Sequence, residues 1–149
     1  SEAILKSLLS VGYRIPKKRI LISSGETKSK LELSEACLAL QKKGYELFAT
    51  RGTQRFLADN GVTATAVNWP DEDGELNVKD MISNKQFDLV INIPKNTTKR
   101  ELANDYIIRR GAIDFNIPLF TNARLASAFI NAFCTMSFED IKIKSWDEY

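Results

Sequence analysis

Thr50 and Thr53 stand three positions apart, with Gly52 between them, where a strand-like run (Tyr45 to Phe48) gives way to a helix-like run (Gln54 to Ala58). The first backbone N–H groups of a helix lack intrahelical partners, so with the helix dipole they attract a phosphate or a carboxylate. Threonine hydroxyls add short donors there, and Ala49-Thr50-Arg51-Gly52-Thr53 therefore reads as an anion-binding corner. The same residues also suit a plain turn with an N-cap, and the pair alone does not decide between the two. Other chemistries lack their residues. The chain has no histidine, which removes the Ser-His-Asp triad, the Cys-His pair, a histidine-ligated metal and the usual proton shuttle near neutral pH. Glycine-rich dinucleotide and phosphate-loop lysine motifs are missing too.

The elements that must position this corner alternate between strand and helix. Ser1 to Val11 carries Ile4, Leu8 and Leu9 at helical spacing, and Gly12 and Pro16 end that segment. Arg19 to Ser23 suits a buried parallel strand, followed by a polar loop from Ser24 to Lys28. Ser29 and Glu32 have capping-box spacing, Leu33, Ala36, Cys37 and Leu40 form one helical stripe, and Lys42-Lys43-Gly44 is a stop. After the corner, a short helix ends near Asn60-Gly61, and Thr63 to Val67 reads as a third strand. Asn68 to Gly74 is a loop, Val78, Met81 and Ile82 suit a brief helix, and Asp88 to Ile93 is the most strand-like run, ended by Pro94. Beyond a polar loop, Lys95 to Lys99, come a helix from Glu101 to Phe115 and a strand from Ile117 to Phe120. Asn122 then caps a helix with Leu125, Ala126, Phe129, Ile130 and Phe133 inward, and Ile141 to Ile143 suits a small edge strand.

Strands joined by helices predict right-handed crossovers and a doubly wound parallel sheet, whose ligands gather beyond the carboxyl ends of the strands. On that rule the loops after Ser23, Phe48, Val67, Ile93 and Thr121 converge on one crevice. It would collect Lys30, Thr50, Thr53, Trp69, Asn96, Thr97 and Thr98. Hydroxyls, amides and one cation suit a small anion better than a proton-transfer reaction.

Composition sets the frame. A chain of 149 residues with 44% apolar and 27% charged residues is one ordinary globular domain. Its net charge of +2 is spread out, the longest basic run being Lys17-Lys18-Arg19, so neither nucleic acid nor an anionic membrane is an expected partner. Cys37 and Cys134 both lie in apolar helical patterns, which predicts core thiols of a reducing, cytoplasmic protein rather than a disulfide framework. No transmembrane run or signal-peptide layout is visible, and the start without Met suggests a fragment or a processed end.

In order along the chain, Ile20-Leu21-Ile22-Ser23, Phe48-Ala49-Thr50-Arg51-Gly52-Thr53, Asp88-Leu89-Val90-Ile91-Asn92, Ile107-Ile108-Arg109-Arg110 and Ile117-Pro118-Leu119-Phe120-Thr121-Asn122 cover nearly everything after Arg19. Through these pieces the chain resembles the methylglyoxal-synthase-like domain, most closely the C-terminal allosteric domain of the carbamoyl phosphate synthetase large chain. Ala3 to Leu9 through Ile15-Pro16 also looks like the connector from a preceding synthetase domain, so residues 1–18 are expected as a leading helix and linker and 19–149 as the domain.

The resemblance implies a three-layer α/β/α, Rossmann-like fold with a five-stranded parallel sheet and a phosphate site at its carboxyl edge. It places the effector phosphate on Ser23, Lys30, Thr50 and Thr53, for a nucleoside monophosphate such as UMP or IMP. Trp69, followed by Pro70, departs from the nucleotide-regulated pattern and is similar to members activated by N-acetylglutamate. There Asn96, Thr97 and Thr98, and Asp105 within Asn104-Asp105-Tyr106, would join the effector site. The expected partners are the rest of the synthetase large chain and, through it, a glutaminase small chain. No cofactor is expected, and all catalysis of the ligase would lie outside this domain. The competing reading is a free-standing methylglyoxal synthase, with Asp73 or Glu75 as the base; the Gly-Gly-Asp pattern and the histidines of that enzyme are absent here.

Overall fold

The computed structural model describes residues 2–11, 14–25, 27–94 and 98–135, in residues 2 and 27–29 the backbone alone. The elements follow as α1 (Glu2–Ser10), β1 (Arg19–Ser24), α2 (Thr27–Lys42), β2 (Glu46–Thr50), α3 (Arg51–Asp59), β3 (Thr65–Val67), α4 (Val78–Ser83), β4 (Leu89–Ile93), α5 (Lys99–Asp114), β5 (Leu119–Phe120) and α6 (Ala123–Thr135). All strand pairs are parallel and the order is β3-β2-β1-β4-β5. The winding therefore reverses between β1 and β4. At that reversal the two carboxyl ends diverge beneath one bond, in which Gly25 N donates to Ile93 O at 3.0 Å.

Period-two alternation along the buried strands feeds two cores. Ile20 and Ile22, Leu47 and Ala49, and Leu89 and Ile91 pack with Leu5, Leu33, Ala36, Cys37, Leu40, Leu57, Phe129, Ile130 and Phe133, from α1, α2, α3 and α6. Leu21 and Val90 face the other way, onto Val78, Met81 and Ile82 of α4 and Ile108 and Ala112 of α5. The result is the expected three-layer α/β/α sandwich on a five-stranded parallel sheet. Burying one of these Leu, Ile or Phe side chains stabilises the fold by about 1.5–3 kcal/mol.

Boundaries differ where polar side chains set them. Asp88, read as the first residue of a strand, instead accepts the Lys18 and Arg19 amides at 2.8 and 2.9 Å, and β4 begins at Leu89. Thr98 caps α5 by accepting the Glu101 amide at 3.1 Å, so that helix begins at Lys99, two residues before the expected start. α2 likewise begins at Thr27, and β3 starts only at Thr65. One inward assignment is corrected: Leu125 is 40% exposed; in α1 the buried residue is Leu5, with Ile4 38% exposed. Leu125 belongs to the first turn of α6, where its amide takes the Asn122 cap at 2.9 Å. The leading helix is part of the packed layer through Leu5, and Tyr45 Oη donates to Pro16 O at 2.7 Å, fastening the linker to β2. The expected capping box at Ser29 and the edge strand at 141–143 lie outside the described side chains and residues.

Candidate functional site

β2 passes into α3 without a loop, so Thr50 is both the last strand residue and the helix N-cap. Asn77, Thr98 and Asn122 cap α4, α5 and α6 with their side chains; Thr50 makes no such bond to α3. Its hydroxyl donates instead within a buried chain, lying 3.2 Å from Ser23 Oγ and 3.4 Å from Thr53 Oγ1. Thr53 Oγ1 in turn accepts from Ser24 N at 3.0 Å and donates to Ser24 O at 3.2 Å. The two threonines are only 2% and 3% exposed, so they form a floor and clamp β1 to α3. The first-turn amides of α3 receive no cap from Thr50, and their positive end faces the opening above that floor.

That opening is a cleft of about 280 Å³ at the reversal of the sheet, as expected for a doubly wound fold. Ser24 and Gly25 from the end of β1, Thr50, Gly52 and Thr53 from the corner, and Lys30 from α2 line one side. The Lys30 ammonium lies 4.0 Å from where a Cβ on residue 52 would sit, which puts the cation beside the start of α3. Trp69 closes a second side, and Arg100, Glu101, Asn104 and Asp105 of α5 form the third.

The Trp69 loop is built by two asparagines. Asn68 and Asn77 form an isolated parallel bridge across its neck. The Asn77 Nδ2 reaches the carbonyls of Trp69, Glu72 and Pro70 at 3.0, 2.9 and 3.3 Å. The Asn68 Nδ2 donates to Glu75 O at 2.7 Å, and Arg51 Nη2 ties Asn68 Oδ1 to α3 at 2.7 Å. Gly74 holds a φ of +121°, and a Cβ on it would press Asn68 Nδ2 at 3.2 Å. The far side of the loop is latched to α5, because Arg100 meets Asp71 through a two-point fork at 2.6 and 3.1 Å. This guanidinium first, and the Asn104 side chain with it, hold the Asp71 carboxyl below its usual range against the desolvation that opposes them.

Of the residues expected at the crevice, Lys30, Thr50, Thr53, Trp69 and Asp105 meet at this cleft. Ser23 lies one step beneath it, reached through Thr50, and Ser24 takes the lining position. Thr98 is exposed and does not line the cleft, its oxygen being occupied as the α5 cap. Asn96 and Thr97 lie outside the described residues. Asp73 and Glu75, the carboxylates of the lyase reading, are exposed and absent from the lining. Sequence reasoning missed Arg100, Glu101 and the two loop asparagines. The Asx residues flanking a Pro- and Gly-containing loop were the available signal for the last. Among the described residues, no cluster of His, Cys, Asp or Glu fits a metal ion, and no helix is long and apolar enough to cross a membrane.

Fold and cleft together define a doubly wound α/β domain with a crevice at its switch point into which the start of α3 opens. The profile of the MGS-like domain family matches residues 32–121, which contain the corner, the Trp69 loop and β4, and the chain belongs to that family. It is 38% identical over 145 residues to the multifunctional protein CAD of Squalus acanthias, covering 88% of this chain and 6% of that one. It is 40% identical over 134 residues to the mitochondrial carbamoyl-phosphate synthase [ammonia] of Homo sapiens, covering 87% and 9%. A third relative, the carbamoyl phosphate synthase large chain, C-terminal section, of Aquifex aeolicus, is 40% identical over 130 residues, covering 87% and 24%. The chain thus spans no more than about a quarter of these relatives. A solved methylglyoxal synthase from Elizabethkingia anophelis shares the fold, with a TM-score of 0.55 at 18% identity over 83% of this chain and 82% of that one.

Proposed function

We propose that this chain is the regulatory effector-binding domain of a carbamoyl phosphate synthetase, taking a small anionic effector at the start of α3 and performing no chemistry itself. The observation that carries this reading is the α3 N-terminus, left uncapped by Thr50 and opening with Lys30 into the switch-point cleft. An anion there meets a helix dipole worth about 0.3–1 kcal/mol at exposed sites and up to about 2 when partly buried, with the lysine charge added. A nucleoside monophosphate such as UMP or IMP supplies the phosphate. Trp69, lining the same cleft, supports a second effector, N-acetylglutamate, whose carboxylates would take the corner and whose acyl part would lie against the indole. Regulation follows from differential affinity: an effector that fits one global state of the synthetase better shifts the equilibrium by that difference, typically about 1–3 kcal/mol. The partners implied are the catalytic part of the synthetase and its glutaminase small chain, in the cytoplasm.

The test is calorimetric titration in phosphate-free buffer with UMP, IMP and N-acetylglutamate, on the chain and on Lys30→Met. Binding that falls by about tenfold or more in the variant is expected, as for loss of a charge-assisted contact. Unchanged affinity in a folded Lys30→Met, or silence of the unaltered chain toward all three, would overturn the reading.

A further inference from the structure

Residues 14–18 belong to no helix or strand, and four of the six residues from Arg14 to Arg19 are basic, the composition of an exposed tether open to trypsin-like proteases. Their hydrogen bonds describe something else. The Arg14 guanidinium donates to the carbonyl of Asn116, the left-handed residue just beyond α5. Pro16 is buried, its ring leaves little backbone freedom to lose on ordering, and its carbonyl takes the Tyr45 hydroxyl at 2.7 Å. Tyr45 in turn stands edge-on to Phe133 of α6, with ring centroids 5.9 Å apart. Burial first, then Cys134 and the Asp88 carboxylate, raise the pKa of the Tyr45 hydroxyl, which keeps it protonated as a donor.

At the next two residues the segment is bonded on both sides. Lys18 O accepts the Glu46 amide of β2 at 2.8 Å, and Arg19 O accepts the Asp88 amide at 2.8 Å. One carboxylate oxygen of Asp88 also takes the consecutive Lys18 and Arg19 amides, at 2.8 and 2.9 Å. Ordering a segment that has no ladder of its own costs backbone entropy, and the bonds that offset it come here from β2, the start of β4 and the end of α5. We propose that residues 14–18 are a strap across the amino edge of the sheet, tying the α5 layer to the α6 layer, with Asp88 as its lock. α1, which buries Leu5 in the core that Ile15 packs against, is then carried with the sheet as one body instead of swinging on a tether. The same bonds shield the basic run from proteases, which need an extended, freed backbone.

Limited trypsin digestion with peptide mass spectrometry tests this, beside hydrogen exchange of the strap and, as the measure of global opening, of α2 and α6. In the unaltered chain the bonds after Arg14, Lys17, Lys18 and Arg19 should resist cleavage. Asp88→Ala should speed cutting there by about tenfold or more, because two bonds to a charged acceptor are lost and cleavage follows the open population. Exchange should rise in the strap of that variant and stay nearly unchanged in α2 and α6. Asp88→Asn, which keeps an acceptor oxygen, should recover most of the protection, and Tyr45→Phe should lose part of it around Pro16. Rapid cutting of the strap in the unaltered chain, full protection in Asp88→Ala, or an equal rise of exchange in the strap and in α2 and α6 would each overturn the proposal. The unaltered chain and Tyr45→Phe decide the matter if Asp88→Ala does not fold.

Discussion

The hydroxyl of Thr53 has two obligations to one residue, accepting the Ser24 amide and donating to the Ser24 carbonyl. With Ser24 buried, Thr53→Ala removes two hydrogen bonds at once, each worth about 0.5–1.5 kcal/mol net. Among the described residues the Thr50 hydroxyl is bonded to the Ser23 and Thr53 hydroxyls, so Thr50→Ala should cost less while altering the floor of the cleft. Urea denaturation of the two variants, with Thr53→Ser as the rescue, checks the ranking; equal losses at both positions would refute the clamp. Thr50 is therefore the cleaner probe of the site. Sequence pattern brought out this corner because its residue types carry the chemistry. Whether the hydroxyls turn toward a ligand or toward β1 depends on a neighbouring strand, Ser23 and Ser24, that the local pattern does not contain.

At the level of elements, the Trp69 loop is held at its neck by asparagines, within by the Glu72 carboxylate, which accepts the Trp69 amide at 2.8 Å, and on its far side by an ion pair. Asp71 has its carboxyl pKa depressed in the folded chain, first by the Arg100 hydrogen bond. A group of that kind contributes stability above its unfolded value and loses it as pH falls through the folded value. Acidification below the usual carboxylate range should therefore release the latch while the asparagine neck persists. Trp69 emission, followed in a Trp146→Phe background from pH 7 to about pH 2.5, should shift in the acid limb. Asp71→Asn should show the acid-limb signal already at neutral pH and little further change. An acid transition identical in Asp71→Asn would place its origin elsewhere. Both groups are exposed, so the effect on global stability is small and the readout is local.

Across the whole molecule, two cysteines of one and the same core behave differently toward reagents. Burial pushes the Cys37 thiol up to about 12 and raises the Cys134 thiol as well, but Cys134 is only half-buried near the end of α6, with Lys43 acting against the rise. Alkylation near pH 8 followed by peptide mass spectrometry should mark Cys134 in the native chain and Cys37 only after unfolding. Comparable rates at both would mean that the α2–α6 layer opens locally. The layer order was legible in the sequence because alternation within strands and the Leu33, Ala36, Cys37, Leu40 stripe answer directly to burial. Element ends were less so: Thr98 and Asp88 contribute side-chain bonds to backbone amides that a hydrophobic pattern does not register. Arg100 was hidden for a related reason, since its partner Asp71 lies 29 positions away.

The bridge between Asn68 and Asn77 has one more effect. It closes a ring of ten residues upon itself, with β3 and α4 attached outside the ring. The segment from Pro70 to Leu76 is thereby a cassette. Its contents can be exchanged during evolution, or by grafting, without re-registering the sheet, provided both asparagines and the glycine at position 74 are kept.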